Sequence, residues 1–315
     1  MFKLISQLNR AGVLGINRRN ADFTLKHNKR SLFPLVDDKL ATKGLAVKAG
    51  VAAPEVYGVM EFAGQVAGVH DLLQDRPDFV VKPARGSGGE GIMVIAGRMN
   101  DRYRTVSGNI LGREDLEHHL YEVLSGLFSL GGQNDQAIIE YRVVVDPVFD
   151  AITHQGVPDI RIIVLYGVPV MAMVRLPTRM SGGKANLHQG AIGAGVDLAS
   201  GRTLRAVWKN EVVESHPDTG NPVSGVAVPQ WDELLRLASQ LATMTGLGYQ
   251  GVDMVLDHKD GPMVLEINAR PGLNIQIANQ AGLRPRLEKV LQEGVGLATW
   301  QEKVAFAKRH FGVRA

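Results

Sequence analysis

Phe79-Val-Val-Lys-Pro-Ala-Arg-Gly-Ser-Gly-Gly-Glu-Gly-Ile92 sets a short apolar run, a lysine and a glycine-rich turn ahead of a second apolar run, Ile92-Met-Val-Ile-Ala96. Glycines let a backbone take positive φ and turn its N–H groups inward with no Cβ in the way, which is how a loop cradles phosphate oxygens. Lys82, at the end of the first strand, would set an ammonium beside them. The pattern predicts a nucleoside triphosphate site, with an ordinary hairpin turn as the competing reading.

Other phosphate motifs make demands that these glycines do not meet. Gly86, Gly88 and Gly91 fit G-x-G-x-x-G, but the dinucleotide fingerprint needs a helix next, and a strand follows here. A Walker A loop ends in G-K-[S/T], which Gly91-Ile92-Met93 does not supply. A protein-kinase loop has its lysine after the glycines, and the chain holds no H-R-D or D-F-G triplet.

At 315 residues, 45% hydrophobic and 21% charged, the chain can bury a substantial core. With no cysteine, it has no disulfides, zinc-thiolate sites or Cys nucleophiles, and any metal must be held by oxygen or imidazole. No apolar run reaches the roughly 18 residues of a membrane span, and the N-terminus lacks a secretory apolar core, so a cytoplasmic protein is expected. The net charge of +3 is uneven: up to Lys48, ten basic residues face three acidic ones, a balance of +7. Such an arm can bind nucleic acid, anionic lipid, an acidic protein partner or a second copy of the chain. Without interleaved aromatics it does not suggest nucleic acid, and a solvated surface is the simpler reading.

In chain order, Phe2, Ile5, Leu8, Val13 and Leu14 recur at loosely helical spacing. A helix capped by Asp37 or Asp38 and stopped at Gly50 follows, then an extended segment from Pro54. Residues 101–136 read as a polar insertion carrying one helix, with Leu116, Leu120, Val123, Leu124 and Leu127 as its apolar stripe. Residues 137–145 read as a strand, and 159–166 with 169–175 as a hairpin turning at Gly167. Residues 180–195 read as a mobile glycine-rich segment, 204–208 as a strand, and 230–245 as a helix ended by Gly246. Tyr249–Asp257 and Met263–Asn268 read as an antiparallel pair across a short turn, bringing Asp253, Glu266 and Asn268 to one patch. Glu266 and Asn268, two apart on a strand, share a face. Two carboxylates and an amide make a hard oxygen site suited to Mg²⁺, or to Mn²⁺ in its place.

Taken in order, these motifs resemble the ATP-grasp superfamily, and within it the α-L-glutamate ligase-like branch related to the ribosomal protein S6 modification enzyme. The resemblance runs from about Asp37 to Gly272. It implies an α+β ATP-grasp fold, two α/β subdomains with mainly antiparallel sheets gripping ATP between them, without a complete N-terminal α/β domain. The expected divisions are a basic arm over 1–36, an N-terminal subdomain over 37–140, a C-terminal subdomain over 141–295 and a terminal helix over 296–315. By resemblance Lys39 and Lys82 are nucleotide lysines, Gly86, Ser87, Gly88, Gly89 and Gly91 the loop over the phosphates, and Glu140 with Tyr141 the hinge at adenine and ribose. Asn186 joins the nucleotide set. Asp253, Glu266 and Asn268 correspond to Mg²⁺ ligands, and Arg175, Arg270 and Lys82 to catalytic cations. Arg161 and His188 fall in strings typical of the branch and are candidates for the substrate.

The resemblance implies an ATP-dependent carboxylate–amine ligase working through an acyl phosphate and adding glutamate or another amino acid to an acceptor. Departures bear on the substrate: few residues precede Lys39, and Gln189 stands where the branch commonly has arginine. A phosphotransferase acting on a non-carboxylate acceptor and a non-catalytic ATP-binding scaffold are the other readings.

Overall fold

Alternating and continuous apolar runs become thirteen strands in a computed structural model, which describes residues 2–86, 88–129 and 132–313 and no side chain among residues 2–5. The chain divides into two compact units. The smaller comprises Asp38–Leu40 and Pro54–Val144, and the larger the residues up to Asp37, Ala41–Ala53 and the chain from Val145 on.

The smaller unit is a six-stranded sheet. Its strands are β1 (Val56–Met60), β2 (Phe79–Pro83), β3 (Met93–Met99), β4 (Arg102–Thr105), β5 (Ile110–Leu111) and β6 (Ala137–Glu140), in the order β1-β6-β2-β3-β4-β5. Every pairing is antiparallel. The helix Arg113–Leu124 lays Leu116, Leu120 and Val123 on Phe79, Val81, Ile95 and Ile139, removing from water the faces that the sequence periodicity marks. Two expectations change here. The supposed polar insertion contributes β4 and β5 to the sheet edge, and Leu127 lies beyond the helix end, 64% exposed.

The larger unit holds a seven-stranded antiparallel sheet. Its strands are β7 (Asp159–Leu165), β8 (Val168–Leu176), β9 (Ile192–Val196), β10 (Thr203–Trp208), β11 (Glu211–Val213), β12 (Tyr249–Asp257) and β13 (Gly261–Asn268), ordered β11-β10-β9-β8-β7-β12-β13. The helices Trp231–Thr245 and Trp300–Phe311 pack on this sheet, and Leu234, Leu235, Leu241 and Val304 join Ile160, Ile162, Val252 and Met254 in one core. The β7–β8 turn closes at Tyr166 and Gly167, both at positive φ, as a two-residue hairpin requires. The last quarter of the segment read as mobile belongs to β9, a fully buried strand; its glycines are there for close packing rather than for motion.

The expected divisions shift. The strand read as 137–145 ends at Glu140. The N–H of Tyr141 still donates to the carbonyl of Glu55 in the smaller unit, whereas Asp146 N–H donates to Leu256 O in the larger one. The crossing therefore falls at Val144–Val145. Nor do residues 1–36 form a separate arm. Helix Phe2–Arg10 is followed by short helical turns to Leu32. Gln276 Oε1 accepts from Leu14 N–H at 2.8 Å and Asn28 Oδ1 from Tyr249 N–H at 2.8 Å, so the segment belongs to the larger unit.

Candidate functional site

In the smaller unit the register of β2 against β6 sets Lys82 opposite Ile138 and so diagonal to Glu140 on the same face, and the two buried side chains meet at 2.5 Å. The expected helix starts as read, with Leu40 N–H donating to Asp38 Oδ1 at 2.8 Å. Lys39, in its first turn, donates to the carbonyl of Gly86 at 2.6 Å and so tethers the start of the glycine loop. Asp135 accepts from Arg85 N–H at 3.0 Å and holds the same corner. Gly88, Gly89 and Gly91 all lie at positive φ. At Gly91 a Cβ would stand 2.5 Å from the Phe128 ring, so the loop tolerates no larger residue there. His119 Nε2–H donates to Gly91 O at 3.0 Å, and burial lowers its pKa. Ser87 lies outside the described residues.

In the larger unit the charged residues alternate with apolar ones along the strands and emerge on one face. Arg161 on β7 stands directly across from Asp253 on β12, and Asp159 on β7 across from Arg175 on β8. Arg161 Nε donates to Asp253 Oδ1 at 2.7 Å while its Nη2 donates to Oδ2. Arg175 grips Asp159 through Nε and Nη2 and reaches Asp253 Oδ2 at 2.7 Å. Burial alone would raise the Asp253 carboxyl, which is 1% exposed, but Arg161 and Arg175 hold it well below the usual carboxylate range. Asp159 is pushed up to about 6, burial outweighing the Arg175 charge and Asp253 adding to the rise. Burial would lower Arg175, yet Asp159 and Asp253 keep it above its ordinary value.

Glu266 pairs with Asp253 across β12 and β13, its side chain 36% exposed and 3.9 Å from Arg161. Asn268 donates to Glu266 Oε1 at 3.1 Å and to Asp253 Oδ2 at 3.3 Å. The three expected metal ligands thus share one patch. The Asp253 oxygens are engaged by guanidinium groups, and Glu266 and Asn268 are the accessible members. Among the described residues no three His, Asp or Glu side chains gather as a metal cluster. The donor set instead suits Mg²⁺, which takes one or two protein ligands and completes its shell with phosphate oxygens and water.

The remaining expected residues are more dispersed. Arg270 is half exposed, 5.2 Å over the Phe33 ring and 3.8 Å from Asp37. Asn186 accepts from His188 N–H at 3.0 Å and caps the short turn Leu187–Gln189, where His188 is exposed. Tyr141 is positioned by its backbone bond to Glu55.

Sequence reasoning missed Asp159 as a site residue. Its signal was present, since an acid two positions before Arg161 in an apolar strand shares the arginine's face. It also missed Arg19, which donates to the carbonyls of Arg270 at 3.2 Å and Pro271 at 2.9 Å. Asn28 was missed as well; its Nδ2 bridges Tyr249 O at 2.6 Å and Ala269 O at 3.1 Å, joining the start of β12 to the end of β13. These contacts span more than two hundred residues and leave no local signature.

The family described as sugar-transfer associated ATP-grasp matches residues 18–292. The chain belongs to this ATP-grasp family. Two solved structures agree on the fold. The biotin carboxylase domain of Hydrogenobacter thermophilus 2-oxoglutarate carboxylase, solved with MgADP, ADP and bicarbonate, is 13% identical over 88% of this chain and 49% of that one, with a TM-score of 0.53. Campylobacter jejuni biotin carboxylase with an ATP analogue is 16% identical over 86% of this chain and 49% of that one, with a TM-score of 0.51. The ATP-grasp ligase PsnB with its minimal precursor is 14% identical over 84% and 62%, with a TM-score of 0.48. The ATP-grasp chain thus spans about half to three fifths of the length of these proteins. No curated protein sequence matches it. No helix among the described residues is long and apolar enough to cross a membrane.

Proposed function

We propose that this ATP-grasp protein is an ATP-dependent carboxylate–amine ligase. The carrying observation is the pair of arginines held by Asp159 and Asp253 beside the accessible oxygens of Glu266 and Asn268. A guanidinium fixed by two carboxylates needs no reorganisation to meet charge developing on a transferred phosphoryl group, and such preorganisation is the main source of catalysis in phosphoryl transfer.

The reaction has two steps. A carboxylate oxygen attacks the γ-phosphorus of ATP; an O–P bond forms, the bond to the β-phosphate bridging oxygen breaks, and ADP leaves. An amine nitrogen then attacks the acyl carbon, a C–N bond forms, the C–O bond to phosphate breaks, and the amine proton passes to solvent. Lys39, Lys82 and the glycine loop bind the phosphates, and Glu140 and Tyr141 bind the nucleoside. Glu266 and Asn268 would hold Mg²⁺, with Asp253 setting their position and that of Arg161 and Arg175. Bound there, the cation would neutralise phosphate charge. Arg175 and Arg270 meet the acyl-phosphate oxygens.

For the substrates, the resemblance to glutamate ligases favours an amino acid such as glutamate. The family description adds sugar chemistry, so amino sugars belong in the amine panel. ATP use favours the cytoplasm for this reaction. Arg18, Lys26, Lys29 and Arg30, exposed on the N-terminal segment, are the cations open to an acidic partner or a second copy.

The test is ADP release from Mg-ATP with pooled carboxylic acids and hydroxylamine, scoring acyl hydroxamate by mass spectrometry. Hydroxamate that disappears in Glu266→Gln supports the ligase and identifies the acid by mass. ADP with a stable phosphorylated product and no hydroxamate would replace it with a phosphotransferase.

A further inference from the structure

The site face of the larger sheet continues past its arginines. Arg175 on β8 is directly opposite Gly193 on β9, and residues opposite one another in an antiparallel pair project to the same side. A Cβ on Gly193 would meet Leu187 Cδ2 at 2.8 Å and Ala278 Cβ at 3.4 Å. Leu187 and the helix Ile275–Ala278 therefore sit on the face from which Arg175 projects, one strand further along. The missing side chain at Gly193 is what lets them descend onto the sheet.

Leu187 and Ile277 are also walls of a cavity of about 220 Å³, completed by Met180, His188 and the β10–β11 turn with Lys209 and Asn210. Lys209 and Asn210 both take positive φ, the conformation of a tight two-residue hairpin turn, so their side chains are presented by a fixed backbone. Trp208 Nε1–H donates to Gly190 O at 2.8 Å, which also accepts from Thr178 at 2.8 Å, and this pins the segment carrying His188 to the turn. Lys209 lies 4.5 Å over the Trp208 ring and is the one charged group that is not an imidazole among the lining residues.

We propose that this cavity is the acceptor subsite, taking an amine of amino-acid size whose free carboxylate meets Lys209 and whose aliphatic body lies on Leu187, Met180 and Ile277. The volume is below the roughly 300 Å³ at which ordinary ligand pockets begin, which excludes a nucleotide or a folded peptide segment and admits one amino acid. The strand order supplies the direction. Glu266 and Asn268 lie on β13 at one edge, Arg161 and Arg175 on the central β7 and β8, and the cavity beyond β9, so an amine seated there stands on the side of Arg175 away from the expected cation. The acceptor role rests on the ligase reading, whereas the binding chemistry does not.

The test is calorimetric titration of the full chain with L-leucine, L-methionine and L-glutamate, each beside its α-amide. The α-acids are expected to bind about tenfold more tightly than their amides, since a charge-assisted hydrogen bond is lost with the carboxylate. Lys209→Ala should erase that difference. Ile277→Trp, which fills the cavity, should abolish binding while the thermal midpoint stays near wild type. Equal affinity for acid and amide, an acid preference that survives Lys209→Ala, or no binding by any of the six overturns the subsite. Hydroxamate formation by the wild type, which needs no acceptor pocket, separates the two ideas. Binding without hydroxamate removes the ligase and leaves an amino-acid site, and hydroxamate without binding removes the subsite alone.

Discussion

Each unit buries opposite charges on neighbouring strands, but they do so differently. In the smaller one a lysine and a glutamate, Lys82 and Glu140, meet at 2.5 Å. In the larger one Asp159, Arg175, Asp253 and Arg161 interlock, each arginine gripping a carboxylate through two nitrogens and Arg175 bridging both acids. An ammonium is a compact charge on a flexible stem, while a guanidinium fork fixes direction as well as charge. The smaller unit thus offers a cation that can be redirected to a phosphate, and the larger offers cations whose aim is set before any ligand arrives.

Removing Asp253 should break that contrast most visibly. Asp253→Ala leaves two buried guanidinium groups facing a lost counter-charge, and unfolding in urea should show a loss of about 3–5 kcal/mol. A loss below 1 kcal/mol would mean the lattice is no more than a surface ion pair. Glu266→Gln keeps the lattice and removes a charge from the accessible oxygens, so ADP release should fall about a thousandfold with the unfolding midpoint unchanged. Lys82→Met should weaken ATP binding about ten- to hundredfold, the worth of a hydrogen bond from a charged group in a buried site. An equal effect from Lys82→Arg would break the contrast, because it would show that position matters there as much as charge.

Smaller effects lie away from the charges. Asn28→Ala unpairs the carbonyls of Tyr249 and Ala269, for a stability loss of about 1–3 kcal/mol and a higher Mg²⁺ requirement in the ADP assay, since Asn268 adjoins Ala269. Asp197 tests pH dependence. Burial would raise its carboxyl, but bonds from Ser200 Oγ–H and from the N–H groups of Val313, Ser200 and Ala199 hold it below its ordinary value. A depressed carboxyl stabilises the fold above its unfolded pKa, and the contribution disappears as pH falls through the folded one. Asp197→Asn should therefore be less stable than wild type at pH 7 and approach it as the pH falls below the ordinary carboxylate range, as read by thermal melts.

Much of this was legible from local pattern. Residues alternating or running apolar announced β2, β7, β8, β12 and β13, and a polar residue placed every second position in such a run declares which face it joins. That is why Glu266, Asn268 and Asp253 could be grouped before the register was known. Short strands at or next to a sheet edge fared worse: β4, β5 and β11 hold two to four residues each, too few for a periodicity to emerge. The glycines of β9 read as a loop because glycine marks both turns and close approaches, and only the neighbour that fills the space tells them apart.

By itself the sequence determined the antiparallel hairpins of β7 with β8 and β12 with β13, the glycine loop behind Lys82 and the oxygen donors of β12 and β13, because each is written in residues close together in the chain. Only the tertiary structure decided that Asp253 is shared between two arginines, that Asp159 completes their lattice, that the basic N-terminal segment is built into the larger unit through Arg19 and Asn28, and that Leu187 and Lys209 enclose one cavity. Those facts depend on which strand lies beside which. Hydrogen bonds and ion pairs form between neighbours in space, and the local periodicity that shapes a strand carries no record of its partner.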